Sequence, residues 1–297
     1  MGFEQCHPGV NLIFFIAVLV GTVTFRHPVY LAISFLSAFA YSVRCNGRKT
    51  VRFNLCLIPL AAVFALYYSS YHHFGITVLG RNFIGNNITA ESLVYGLVLG
   101  VMAAAVIMWL CCVFSVFTTD KVVYLFGKIS PQLSLFSAIL LRMVPGCKRK
   151  AGSMNMAQRG IGRGVNQGNG LRRIQNSLRI FSTLVTWEMD SLILASESMR
   201  CRGSGLRGRT AFSIYRFDNR DRAYGIVMAA CLTMTLMAAI LGQTDMTYNP
   251  GIRWKPMTPA AWFFCAGYAV FCFMPMMLDL WTDRRFSGPI IDVGVRR

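Results

Sequence analysis

Two short segments of this 297-residue chain pair arginine with glycine at the end of a helical run. They are Met156-Ala157-Gln158-Arg159-Gly160 and Met199-Arg200-Cys201-Arg202-Gly203. Glycine suits a helix C-terminal cap because it adopts the left-handed conformation without a side-chain clash. The arginine then sits in the last turn, near the partly negative end of the helix dipole. Two chemistries fit this arrangement. One is helix capping plus attraction to anionic lipid. The other is recognition: a planar guanidinium binds two acceptors at once, so the tip fits a carboxylate or carbonyl cleft in another protein. Two similar tips favour the second, since two helix ends can engage two related partners.

Other reactive side chains are read against plainer roles. Asp218 and Asp221 form an acidic pair able to hold a metal or a phosphate head group, but Arg220 and Arg222 interleave with them. A local ion-pair cluster at a helix start is the expectation there. His72 and His73 end an apolar run with no carboxylate nearby in sequence, which points to an interfacial role rather than a metal site. Glu188, Asp190 and Glu197 are expected on the solvated or partner-facing side of a long helix. Met154, Met156 and Met199 flank the arginines and offer an adaptable docking surface. The fragment nearest to a phosphate-binding loop, Gly47-Arg48-Lys49-Thr50, lacks both the upstream glycine spacing and the Gly-Lys-Ser/Thr order. The chain is therefore read as non-catalytic, without a cofactor or metal of its own. Its ten cysteines are scattered, mostly in apolar runs, and form no C-x-x-C pair, so they read as small buried hydrophobes.

The elements that must position these tips follow from composition. Hydrophobic residues make up 55% of the chain, charged residues only 14%, and mean hydropathy is +0.48. Soluble domains carry roughly 25% charged residues. This excludes a disordered chain, a collagen and a soluble basic DNA-binding domain, and predicts an all-α polytopic membrane protein. Six apolar stretches are candidate spans: 9–24, 28–43, 54–71, 92–117, 223–243 and 259–281. The first two are short. No basic region or small-residue cleavage site accompanies the first, which reads as a helix rather than a cleaved signal.

The net charge of +18 is distributed unevenly. With both termini inside, only Arg26, Arg81, Arg253 and Lys255 face outward, and the other basic residues fall in cytoplasmic segments. Residues 1–117 and 223–297 then form the membrane part, and 118–222 a cytoplasmic or interfacial section. Within that section, 122–145 is interrupted by Gly127, Lys128, Pro131 and Arg142 and predicts an interfacial helix pair broken at Ser130–Pro131. Residues 171–203 contain no Pro or Gly before Gly203. Leu171, Ile174, Leu178, Phe181, Val185, Leu192, Ala195 and Met199 recur at gaps of mostly three and four, marking one apolar face of a long helix. At 1.5 Å per residue it is about 48 Å long, and with its charges it is expected along or under the membrane.

The two arginine segments resemble the paired Ala-Arg-Gly-type signatures of the transmembrane T component of energy-coupling factor (ECF) transporters, the EcfT/CbiQ family. The resemblance extends to HHFGITVLGRNFIGNNITAESLVYG (72–96), TTDKVVYLFGKISPQLSLFSAILLRMVPG (118–146) and TWEMDSLILASESMRCRGSGLRGRTAFSIYRFDNRD (186–221). It covers most of residues 25–222 and is weak at both ends. Gln158 and Cys201 depart from the signature, while the arginine is kept in both.

The resemblance implies a non-enzymatic coupling subunit of an ABC-type importer in a bacterial or archaeal cell membrane. Its partners would be two ABC-type ATPase subunits (EcfA-like) and a small substrate-binding membrane S component, and its cargo a vitamin, another cofactor or a metal ion. Ala157 to Gly160 and Met199 to Gly203 would dock the ATPases, with Arg159 and Arg202 carrying the contact. Two other classes stay open on the residues alone: a membrane enzyme of the cytoplasmic leaflet built on Asp218 and Asp221, and a stand-alone channel or substrate receptor. The scarcity of charge inside the spans argues against the channel.

Overall fold

The computed structural model describes residues 2–72, 74–81, 87–203, 206, 215, 217–248, 251–252 and 258–286. His73, Arg253, Lys255, Arg296, Arg297 and most of the 204–216 arm therefore lie outside the described residues. Two compact units divide the chain: Met1–Thr118 with Tyr215–Arg297, and Thr119–Ile214.

The first unit contains α1 (Pro8–Thr24), α2 (Pro28–Asn46), α3 (Arg48–Tyr71), α4 (Ala90–Val116), α8 (Asn219–Ile240) and α9 (Pro259–Phe286). The second holds α5 (Thr119–Ile129), α6 (Pro131–Gly160) and α7 (Gly170–Cys201). Five helices of the first unit are long and apolar enough to cross a membrane, and α1 is an apolar helix of 17 residues. The chain is an all-α polytopic membrane protein. α1 sits at the lower limit of the roughly 17–25 residues a crossing needs. The second expected span is longer than its apolar run, 19 residues instead of 16, and ends at the left-handed Gly47, whose N–H donates to the Val43 carbonyl.

Proline starts α1 and α2 at a position where the missing N–H costs nothing. The preceding histidines cap them: the His7 and His27 Nδ1 atoms accept hydrogen bonds from Gly9 N and Val29 N. α3 and α4 pack through small residues. A Cβ placed on Gly96 would lie 2.9 Å from the Ala65 carbonyl oxygen, and one on Gly100 2.6 Å from that of Ala61. The same stripe continues into a Ser69–Ser92 hydroxyl pair at 2.8 Å. Such close backbone approach is how helices associate where lipid removes most of the hydrophobic drive.

The core of this unit is aromatic. Trp109 is fully buried among Phe14, Phe15 and Tyr41, and its indole N–H donates to Ser34 Oγ at 3.2 Å. The N-terminus is tied in as well, with Phe3 N donating to the Asp279 carboxylate at 2.6 Å. Between α3 and α4 lies an element the composition does not announce, an antiparallel hairpin of β1 (Val78–Arg81) and β2 (Asn87–Thr89). Glu91 pins its base by accepting the Thr77 hydroxyl at 2.7 Å.

In the second unit the helix break falls at Ser130–Pro131, as the sequence predicts. Gly127 leaves room for Ser134, whose hydroxyl donates to the Val123 carbonyl at 3.2 Å, and α5 folds back on α6. α6 then continues as one 30-residue helix through Pro145 to Gly160. The long helix expected over 171–203 is α7, 32 residues from Gly170 to Cys201.

Candidate functional site

Each of the two arginine-bearing ends is finished by a left-handed glycine, at α6 in a different register from the one the Arg-Gly pair suggests. At the end of α6, Gly162 has φ +77°, its N–H donates to the Arg159 carbonyl at 3.1 Å, and Arg163 N donates to Gln158 O at 2.9 Å. These are the two bonds of a Schellman cap. The left-handed glycine is thus Gly162; Gly160, expected to cap, remains in the helix. The reason is local: Asn155 Oδ1 accepts from Val165 N at 3.1 Å and Gln167 Oε1 from Gly164 N at 2.9 Å, so the returning chain is held one half-turn later.

At the end of α7 the left-handed residue is Gly203, φ +77°, as expected, and its N–H donates to Arg200 O at 3.0 Å. Counted back from the two left-handed glycines, Arg159 therefore corresponds to Arg200. Arg202 is the C-cap residue itself, outside the helix. α8 ends with the same bonds around Gly242, φ +62°, and has no base in its last turn. The left-handed glycine is generic: α2 also ends on one, Gly47 at φ +75°, with Arg44 in its last turn, but there the guanidinium is engaged by Asp283.

Ala157, Arg159, Gly160, Arg200, Cys201 and Arg202 are exposed, while Gln158, Met199 and Gly203 are half-buried. Among the flanking methionines, Met156 is 77% exposed and Met154 is half-buried. The stem of Arg159 lies against Gly164, where any side chain would collide with its Cγ. The 161–169 turn therefore aims this arginine.

The inner face of the α6 end, at Met154 and Gln158, packs beside Arg179, Ile180 and Thr183 of α7. From Ile180 to Arg200 is twenty residues of continuous helix, about 30 Å. The two arginine tips are set that far apart on one frame.

That frame has a lock. Lys150 Nζ lies 2.9 Å from Glu188 Oε1, and the Ser191 hydroxyl donates to Glu188 Oε2 at 3.1 Å. Lys150 also approaches the Trp187 ring to 5.9 Å. Glu188 is buried, which corrects the expectation that it lies on a solvated side; Asp190 and Glu197 are exposed as expected. Lys150 holds the Glu188 carboxyl below its usual range, aided by the Cys147 thiol and Ser191 and opposed by burial. Burial first, then Glu188, pushes the Cys147 thiol up. Sequence reading missed this pair because its partners are 38 residues apart on different helices.

The remaining candidates have structural roles. Asp218 and Asp221 form a capping box at the start of α8, and Asp221 Oδ1 also accepts His7 N at 3.3 Å. Arg220 stacks over Tyr224 at 5.9 Å. The expected ion-pair cluster is instead a helix cap, because the backbone N–H groups of the first turn take both carboxylates. No group of three potential metal ligands occurs among the described residues. His72 caps α3 with its ring 4.3 Å from that of Tyr68.

The apolar stripe of α7 is real but unpartnered within its unit. Leu171, Leu178 and Phe181 are more than 60% exposed, whereas Ile180 and Glu188 are the buried positions. No protein-family model matches the chain, and no curated protein matches it.

Proposed function

We propose that this chain is the coupling subunit of an energy-coupling-factor type importer, receiving motion from two ABC-type ATPases and passing it to a membrane subunit that binds the cargo. The observation that carries the reading is the pair of exposed arginine tips, Arg159 and Arg200 with Arg202, about 30 Å apart on one locked helical frame. A guanidinium in or just after the last helical turn can bind a groove of carbonyls or carboxylates without disturbing its own helix.

In this reading α6 and α7 act as levers. Closing of the ATPases displaces the tips, and the Lys150–Glu188 pair makes the helices move together rather than slide. The exposed stripe of α7, from Leu171 through Leu178 to Phe181, is the face that meets the cargo-binding subunit. Both termini are cytoplasmic, in keeping with the placement of basic residues. Specificity for the cargo resides in that other subunit.

The test is a complex of the full chain with its ATPases and cargo-binding subunit in proteoliposomes. Arg159→Ala combined with Arg200→Ala and Arg202→Ala is expected to weaken ATPase association or uncouple hydrolysis from uptake while membrane insertion stays normal. Normal uptake by that triple variant, with intact ATPases, contradicts the reading.

A further inference from the structure

The membrane unit carries a groove that the coupling reading does not use. It lies between α1, α8 and α9, has a volume of about 560 Å³, and is walled by Ile16, Val20, Leu236 and Phe271. That volume is in the range of small-ligand sites, roughly 300–1,000 Å³. Gly21 keeps its floor open, since a side chain there would press on Phe25 and Tyr268 at 3.3 and 3.5 Å. Ile16 and Val20 are each more than half exposed, so the groove opens sideways toward the surroundings of a spanning helix rather than into the core.

Its polarity is one-sided. Along α1 the lining runs from Ile13 to Thr24, a rise of about 16 Å. One leaflet of a bilayer has a hydrocarbon depth of about 15 Å, half of the roughly 30 Å core. At the far end stand Thr24, Thr244 and Asp245. Asp245 is the one charged residue among the described residues of the lining, is exposed, and makes no hydrogen bond or ion pair with the described residues. A second groove on α8, of about 460 Å³ between Tyr224, Val227, Met274 and Trp281, has no charged residue among the described residues of its lining.

We propose that the first groove binds one acyl chain of a membrane lipid whose head group carries a primary ammonium, such as phosphatidylethanolamine. The chain fills the apolar length, and the ammonium meets the Asp245 carboxylate at the rim. A choline head group has no N–H to donate, and a glycerol head group leaves the lipid anionic and is repelled. The inference rests on the membrane unit alone and stands whether or not the tips dock ATPases.

The test uses the full chain in nanodiscs of phosphatidylethanolamine and phosphatidylcholine with identical acyl chains, followed by native mass spectrometry of retained lipid. The wild type is expected to keep one phosphatidylethanolamine, with a preference of about fivefold, the worth of one exposed charged contact. Ala239→Trp, which fills the groove, is expected to remove it, and Ala17→Phe on the opposite wall provides a second blockade should the first fail to insert. Asp245→Asn is expected to keep a lipid but equalise the two head groups. Val227→Trp, in the uncharged groove, is expected to leave both count and preference unchanged. Undiminished retention in the blocked variants, equal retention of both lipids by the wild type, or an undiminished preference in Asp245→Asn would each overturn the proposal.

Discussion

The ends of α6 and α7 share a left-handed glycine bonded three residues back and differ in what surrounds it. At α6 the chain returns over its own tip: Gly164 packs against the Arg159 stem, and Gln167 bonds back to Gly164. At α7 two arginines, Arg200 and Arg202, flank the cap, and Leu206 is the described residue packed on Gly203. One tip has a buttressed arginine before its left-handed glycine and Arg163 directly after it; the other has two arginines before its glycine. The difference teaches that adjacency to glycine is a poor guide to position. Registered on the left-handed glycine, Arg159 matches Arg200, although in sequence it matches Arg202.

The largest expected effect comes from removing the guanidiniums. Arg159→Ala is expected to weaken ATPase association on the order of 30-fold, the loss of one interface hot spot, in a pull-down of the assembled complex. If the cap register governs docking, Arg200→Ala costs about as much and Arg202→Ala clearly less. The reverse order would return the comparison to the Arg-Gly pairing.

The next effect acts on both tips at once. Lys150→Ala leaves the buried Glu188 carboxylate unpaired, and Glu188→Ala strands the ammonium. Either variant is expected to lower uptake per ATP hydrolysed while each tip still binds, whereas the double variant is expected to be milder than Lys150→Ala, which alone leaves the buried carboxylate unpaired. The pair also sets a pH dependence. Because the folded-state pKa of Glu188 lies below its ordinary value, its contribution is complete above the usual carboxylate range and is lost as pH falls through the lowered value. Hydrogen exchange across 147–158 and 179–191 is expected to accelerate only below about pH 4, the ordinary glutamate range.

The smallest effects test the cap itself. Gly162→Ala forces a left-handed alanine and is expected to cost about 1–2 kcal/mol, measured as fraying of the last turn of α6. Gly160→Ala meets no neighbouring atom and replaces a helical glycine, so it is expected to stabilise by up to about 1 kcal/mol. Equal effects at the two positions would break the assigned register.

Much of this architecture was legible in the residues. The apolar runs gave five helices long and apolar enough to cross a membrane and, in the first run, a shorter apolar one, because lipid-facing helices need no fine pattern beyond length. Pro131 and the three-and-four spacing from Leu171 to Met199 gave the break and the long helix, since both are local properties. What was not legible depended on partners distant in sequence. The α6 cap moved to Gly162 because Asn155 and Gln167 hold the return, and Glu188 went inside because Lys150 meets it from another helix. The 78–89 hairpin escaped notice because its strands are four and three residues long, too short for an alternation to read.

The central claim is that two arginine tips engage two ATPases. It is tested most directly by in-cell photo-crosslinking from a benzophenone amino acid replacing Ala157 or Cys201, both exposed beside the tips. The account predicts that each position yields a discrete adduct with an ABC-type ATPase subunit, and that Arg159→Ala diminishes the adduct from position 157. Adducts with lipid alone from both positions, in cells where the chain is assembled and importing, would contradict it.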